Sequence, residues 1–161
     1  MSPRAPRPRR SAHERALDAL ALRPRAAQEL ARWLRDRGYD AAEVAAVVER
    51  LTAAGLLDDA RFAEAFARSR LIDRRLSRRR VLAELARRGV GREVASAAVA
   101  SVVADEGVDE REAAYLVAEK KYRSLAGLDP AVAARRLTGF LARRGYGQDA
   151  IQGAVRRLLA G

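Results

Sequence analysis

Apolar residues recur along this chain at three- and four-residue intervals rather than alternating, which is the period of one face of an α-helix. In "GLLDDARFAEAFARSR", residues 55–70, such a stripe is formed by Phe62, Ala63 and Phe66 directly behind two aspartates. Gly55 closes the preceding pattern "AAEVAAVVERLTAAG" as a left-handed residue just past a helix end. Asp58 then fits a helix N-cap and Asp59 a first turn, where the helix dipole favours negative charge. Leu57 and Phe62 have the spacing of a hydrophobic staple across that start. The two aspartates are therefore read as structural helix caps, not as catalytic or metal-binding groups.

The same punctuation predicts nine helices. Ser11 with Glu14 has capping-box spacing and opens a helix to about Leu22, ended by Arg23-Pro24. A second runs from about Arg25 to Arg37 and stops at Gly38, and a third opens at Asp40, three residues before Glu43. The Asp58 helix follows. Ser77 caps "RRRVLAELARR", which ends at Gly89, and "EVASAAVASVVADE" runs to Gly107. Asp109 with Glu112 opens "EREAAYLVAEKKYRSL". Asp129 followed by Pro130 opens "AVAARRLTGFLARR" up to Gly145, and a last helix covers about Gln148 to Leu159.

One pattern returns three times. The runs Leu34 to Tyr39, Leu85 to Val90 and Leu141 to Tyr146 superpose without gaps, each with a glycine fifth. Four residues before the leading leucines stand Leu30, Val81 and Leu137. Behind the glycines, Val48 and Leu51 match Val99 with Val102 and Val155 with Leu158. The expected fold is all-α, an elongated tandem array of three three-helix, helix-turn-helix-like units. A disordered basic arm is expected over residues 1–12, with units over 13–57, 58–107 and 108–161. A unit of about fifty residues is close to the lower limit for an adequate core, so neighbouring units should support one another. Trp33, Tyr39, Phe62, Phe66, Tyr115, Tyr122, Phe140 and Tyr146 are assigned to the cores.

Composition narrows the chemistry. Aromatics make up 5% of the chain and hydrophobic residues 49%, so the cores must be mostly Ala, Leu and Val. Cysteine is absent, which excludes disulfides, thiolate metal sites and thiol catalysis. The only histidine, His13, lies inside a capping box and is read as solvent-exposed. With no phosphate-cradling glycine loop and no metal-ligand spacing, no catalytic residue, cofactor or metal is expected. No stretch approaches the roughly 18 apolar residues of a membrane span. The N-terminus has no apolar segment of the secretory kind, so a soluble cytoplasmic protein is expected.

The formal net charge is +11, almost all from arginine, with lysine only at 120 and 121. An anionic partner follows: nucleic acid, a phosphate-rich surface or an acidic protein face. Arg68, Arg70, Arg74, Arg75, Arg78, Arg79 and Arg80 crowd one turn with only Asp73 opposing them in the local sequence. Arg37, Arg87 with Arg88, and Arg143 with Arg144 recur before the repeated glycines, where the helix dipole alone accounts for them. Lys120, Lys121 and Arg123 form a third group. A helix-turn-helix-like DNA-binding protein is the alternative reading. Its reading helices would start at Asp40-Ala41-Ala42-Glu43, Arg92-Glu93 and Gln148-Asp149, where acids face phosphates, so phosphate contact fits better than base readout.

"GLLDDARFAEAFARSR" followed by "VLAELARRGV", bracketed by "RPRAAQELARWLRDRGY" and "LTGFLARRGY", resembles the RecX family, regulators of the bacterial RecA recombinase. The resemblance spans about residues 13 to 159. Two positions depart from the family pattern. Ala26-Ala27 stands where a serine usually caps the helix, and Arg74-Arg75-Leu76-Ser77-Arg78 replaces a Gly-Pro turn. The resemblance implies a non-enzymatic modulator, mainly an inhibitor, that acts in DNA repair and recombination. It implies binding to the RecA filament on single-stranded DNA, limiting its ATPase, strand exchange and SOS co-protease activity, with no membrane partner and a monomeric state. The expected contacts are Arg68, Arg70, Arg74, Arg75, Arg78, Arg79, Arg80, Arg87, Arg88, Lys120, Lys121, Arg143 and Arg144. Reversing Arg78, Arg79 and Arg80 to Glu is expected to abolish filament binding without changing melting.

Overall fold

The computed structural model describes residues 10–160, and among them every regular element is helical. The basic arm expected at the N-terminus lies, for residues 1–9, outside the described residues. The order is α1 (Ala12–Leu22), α2 (Ala27–Arg35), α3 (Ala41–Ala53), α4 (Asp59–Arg68), a π-helical turn (Ser69–Asp73), α5 (Arg78–Arg87), α6 (Arg92–Glu106), α7 (Glu110–Arg123), α8 (Pro130–Arg143) and α9 (Gln148–Leu159). The nine α-helices among the described residues fall where the sequence pattern puts them.

Local chemistry explains the starts. Ser11 and Glu14 form the full capping box. Asp40, Ser77, Asp109 and Asp129 each accept backbone N–H groups of the turn they open. Asp58 accepts the Arg61 N–H at 3.0 Å. The repeated glycine motif is a helix stop. The N–H groups of Tyr39, Val90 and Tyr146 donate to the carbonyls of Leu34, Leu85 and Leu141. Those of Gly38, Gly89 and Gly145 donate to Arg35, Ala86 and Ala142, each at 2.9 Å. This is the Schellman pair of bonds, made three times with the glycine in the left-handed region. The leading leucine and the residue after the glycine are thereby brought together at the helix end.

Two compact units divide after Phe62. In the first, α1, α2 and α3 pack on one another around Ala16, Leu30, Leu34, Val44 and Leu51. In the second, α7, α8 and α9 enclose Ala114, Ala118, Leu137, Leu141, Tyr146 and Ile151, while α5 packs on α6 and on the π-helical turn. The buried set is dominated by Ala, Leu and Val, as the composition requires. Of the eight aromatics Tyr146 is fully buried, at 2% exposure, and the other seven are half-buried; Trp33, Tyr39, Tyr115, Tyr122 and Phe140 pack against the cores as expected. Several of those seven also serve as platforms for arginine guanidinium groups. His13 is half-buried rather than solvent-exposed.

The segment between α4 and α5 carries geometry that the residue pattern does not announce. α4 runs into the π-helical turn, and Arg75 adopts φ 48°, a left-handed conformation that is costly for a side chain other than glycine. It lies within the Arg74 to Arg78 stretch.

Candidate anion-binding surface

The arginine cluster at residues 68–80 separates into two sets once its partners are known. Arg68 is ion-paired with Glu106. Arg70 and Arg80 converge on Glu84, with their Nε atoms at 3.1 and 3.0 Å from its two carboxylate oxygens. Arg78 Nε lies 3.4 Å from Glu110. Burial pushes the Glu84 carboxyl upward, but the hydrogen bonds from Arg80 and Arg70 outweigh it and hold the group below its ordinary value. Four of the seven arginines are thus neutralised by acids up to 38 positions away. The expectation that Asp73 alone opposes the cluster is corrected: Glu84 lies one helical turn beyond Arg80, and Glu106 and Glu110 arrive through the fold.

Arg74, Arg75 and Arg79 have no ion-pair partner among the described residues. The first two are held by the turn that follows α8. The Ser77 N–H donates to the Arg144 carbonyl at 3.2 Å. The Arg144 guanidinium donates to the Arg74 carbonyl, and the Tyr146 hydroxyl to the Arg75 carbonyl. Burial disfavours the Tyr146 phenolate and, against the opposing charges of Arg144 and Arg75, its pKa is pushed up to about 12, so the hydroxyl remains a donor at neutral pH. Gly145 makes this approach possible. A Cβ there would lie 2.4 Å from Ser77 Oγ and 2.6 Å from Arg80 Cβ.

The docking of that turn creates a groove of about 430 Å³. Its cations are Arg74, Arg75, Lys120, Lys121 and Arg144, its one carboxylate is Asp73, and its apolar wall is Leu116, Val117 and Phe140. Lys121 and Arg144 both lie over the Phe140 ring, at 5.8 and 5.5 Å from its centre. Members of three arginine and lysine groups that are far apart in sequence meet here. Arg68, Arg70, Arg78, Arg79, Arg80, Arg87, Arg88 and Arg143 do not line it.

The arginines before the repeated glycines have local work. Arg37 donates to the Trp33 carbonyl at 3.1 Å and stacks 3.7 Å from the centre of its ring. Arg88 lies over Phe66 and Arg144 over Phe140. Cation–π stacking at a helix end is sufficient reason for these positions. Among the described residues no group of His, Asp or Glu is arranged to hold a metal ion, and no helix is long and apolar enough to cross a membrane.

Three-helix modules closed by one repeated turn define the class: an all-α helical-repeat protein, here with a basic groove. Three family models match it in order, described as the first, second and third three-helix domains of RecX, over residues 12–51, 58–99 and 109–155. The chain belongs to the RecX family. It is 42% identical over 139 residues to the regulatory protein RecX of Amycolatopsis mediterranei (strain U-32), covering 86% of this chain and 78% of that one. With the regulatory protein RecX of Mycobacterium avium (strain 104) the identity is 39% over 149 residues, covering 91% and 85%. The fold matches the crystal structure of RecX from Lactobacillus salivarius with a TM-score of 0.73 at 18% identity, over 91% of this chain and 94% of that one.

Proposed function

We propose that this protein is a non-enzymatic regulator, mainly an inhibitor, of the RecA recombinase, binding the RecA filament on single-stranded DNA and limiting its ATPase, strand exchange and SOS co-protease activity. The observation that carries this reading is the match of all three RecX three-helix domains in one chain. In this reading the units are residues 13–57, 58–107 and 108–161, and the protein acts as a cytoplasmic monomer.

The contact residues are those whose charge the fold leaves uncompensated: Arg74, Arg75, Arg79, Lys120, Lys121, Arg143 and Arg144. Arg68, Arg70, Arg78 and Arg80 are spoken for by Glu106, Glu84 and Glu110 and serve the fold first. A net charge of +11 favours a polyanionic partner and speeds encounter with it. No step in this action requires bond chemistry.

The test is the ATPase rate of RecA filaments preformed on single-stranded DNA, titrated with the protein at moderate salt beside a control without recombinase. A fall at protein concentrations too low to coat bare DNA is expected. An unchanged rate with tight DNA binding would refute the recombinase reading and leave a phosphate-binding helical protein in its place.

A further inference from the structure

We propose that the groove bounded by the Asp73–Arg75 turn, α7 and α8 is a binding site for consecutive phosphate groups. The inference rests on the contact residues of the reading above and names the ligand that five of them meet; it is tested without recombinase, so its failure and the failure of the recombinase reading are distinguishable.

The fold compensates arginines where it can. Four in the 68–80 cluster have carboxylates within ion-pair reach, yet Arg74, Arg75, Lys120 and Lys121 have none among the described residues and face one groove. Gathering like charges this way costs self-repulsion unless an anion offsets it. The cost is also structural: Arg75 is held in a left-handed conformation, and the adjoining chain makes a π-helical turn, a feature that concentrates at functional sites. Tyr146 and Arg144 hold the carbonyls of that turn, so they are positioning residues for the side chains of Arg74 and Arg75.

The ligand chemistry follows from charge density and the wall. Five cations share the groove with one carboxylate, so a single carboxylate from a partner would leave most of them uncompensated. Consecutive phosphates bring a charge on every group and non-bridging oxygens that accept both the arginine fork and lysine. Leu116, Val117 and Phe140 give the groove an apolar, low-dielectric wall, which focuses the field of the cations. Two sources supply such an anion: the backbone of a single nucleic acid strand, or a free polyphosphate.

The experiment measures binding of a dye-labelled short oligothymidylate to the full chain by anisotropy over a range of salt, with competition by inorganic tripolyphosphate and by oligoglutamate at matched ionic strength. Lys120→Gln/Lys121→Gln is compared with the charge-matched Arg92→Gln/Arg156→Gln, which alters exposed cations on α6 and α9 that do not line the groove. The groove variant is expected to weaken binding about tenfold or more, and to reduce the salt slope by about 0.7 for each cation removed. The control should change binding less than about twofold. Arg74→Gln on the opposite wall should act in the same direction, and it keeps the test decisive if the lysine variant folds poorly. Displacement by tripolyphosphate identifies a site that also takes free polyphosphate, and its failure to displace assigns the site to phosphodiesters at nucleic acid spacing. Equal loss in the two double variants, or displacement by oligoglutamate as effective as by tripolyphosphate, overturns the proposal in favour of net charge or an acidic protein surface.

Discussion

The Asp59 carboxylate accepts the backbone N–H of Ala27 at 2.8 Å, across 32 positions of sequence. Asp58 caps its own helix, and its neighbour caps the start of another. The relationship recurs at the same separation, where Glu110 at the start of α7 accepts the Arg78 N–H at 3.4 Å. A helix entered through Ala26 has no side-chain cap of its own, and Asp59 satisfies one of its orphan donors.

Loss of that bond should therefore be measurable and repairable. Asp59→Ala is expected to cost about 1 kcal/mol, the ordinary worth of a cap. Ala26 has φ −72° and ψ 153°, nearly those of the capping residue Ser77 at −67° and 156°. Ala26→Ser in the Asp59→Ala background should recover much of the loss. Urea unfolding followed by the fluorescence of Trp33, which lies on α2, reads both steps; a silent Asp59→Ala would remove the cap from the account.

Gly145 and Gly107 separate two costs of adding a methyl group. At Gly107, with φ 61°, nothing lies within 4 Å of the new Cβ, so Gly107→Ala should cost only the left-handed backbone penalty, about 1–2 kcal/mol. At Gly145 the same change also drives into Ser77 Oγ and Arg80 Cβ and breaks the seat of the turn holding Arg74 and Arg75. Gly145→Ala should lower the melting temperature clearly more than Gly107→Ala. Equal shifts in the two variants would mean that the close approach is not maintained in solution.

Tyr146 makes stability depend on alkaline pH. Its ordinary value of 10.0 is raised to about 12 in the folded chain, so its contribution is complete below pH 10 and is lost as pH rises toward 12. Tyr146→Phe should cost about 1 kcal/mol at neutral pH, through the lost bond to the Arg75 carbonyl. It should also flatten the alkaline fall in stability. Thermal melts at a series of pH values for both proteins check this, and parallel alkaline profiles would refute it.

Glu84 acts at the other end of the scale. Because its carboxyl is held below the ordinary value of 4.5, its contribution is present above that value and is lost as pH falls through the lowered one. Glu84→Gln should weaken the acid dependence and destabilise the pairing of Arg70 and Arg80. The same geometry revises the triple reversal of Arg78, Arg79 and Arg80: Glu at 80 would face Glu84 and Glu at 78 would face Glu110. That variant should melt lower, by about 1 kcal/mol for each reversed pair after solvent screening. Arg79→Glu alone should melt like the parent protein, and calorimetry of the two distinguishes them.

Helix starts and stops, the threefold repeat and the all-α class were legible in the residues, because caps, Schellman turns and i, i+4 stripes are made by residues a few positions apart. Asp58, Ser77 and the three glycines act where the pattern placed them. The role of Asp59 was half legible: a cap was expected, but of its own helix. That the aromatics pack on the cores was legible; that several also carry an arginine on their outer face was not, because such a ring has the same sequence spacing as any core ring.

What the sequence by itself determined is how the helices begin and end. Tertiary structure decided the compensation of Arg70, Arg68 and Arg78, since Glu84, Glu106 and Glu110 reach them from 14, 38 and 32 positions away, whereas Arg80 meets Glu84 one helical turn on. It decided the left-handed Arg75, stabilised by a tyrosine 71 positions further on, and the meeting of Arg74, Arg75, Lys120, Lys121 and Arg144 in one groove. The physical reason is that charges and hydrogen-bonding groups interact through space: local sequence sets how a helix begins and ends, and only packing sets which groups face each other.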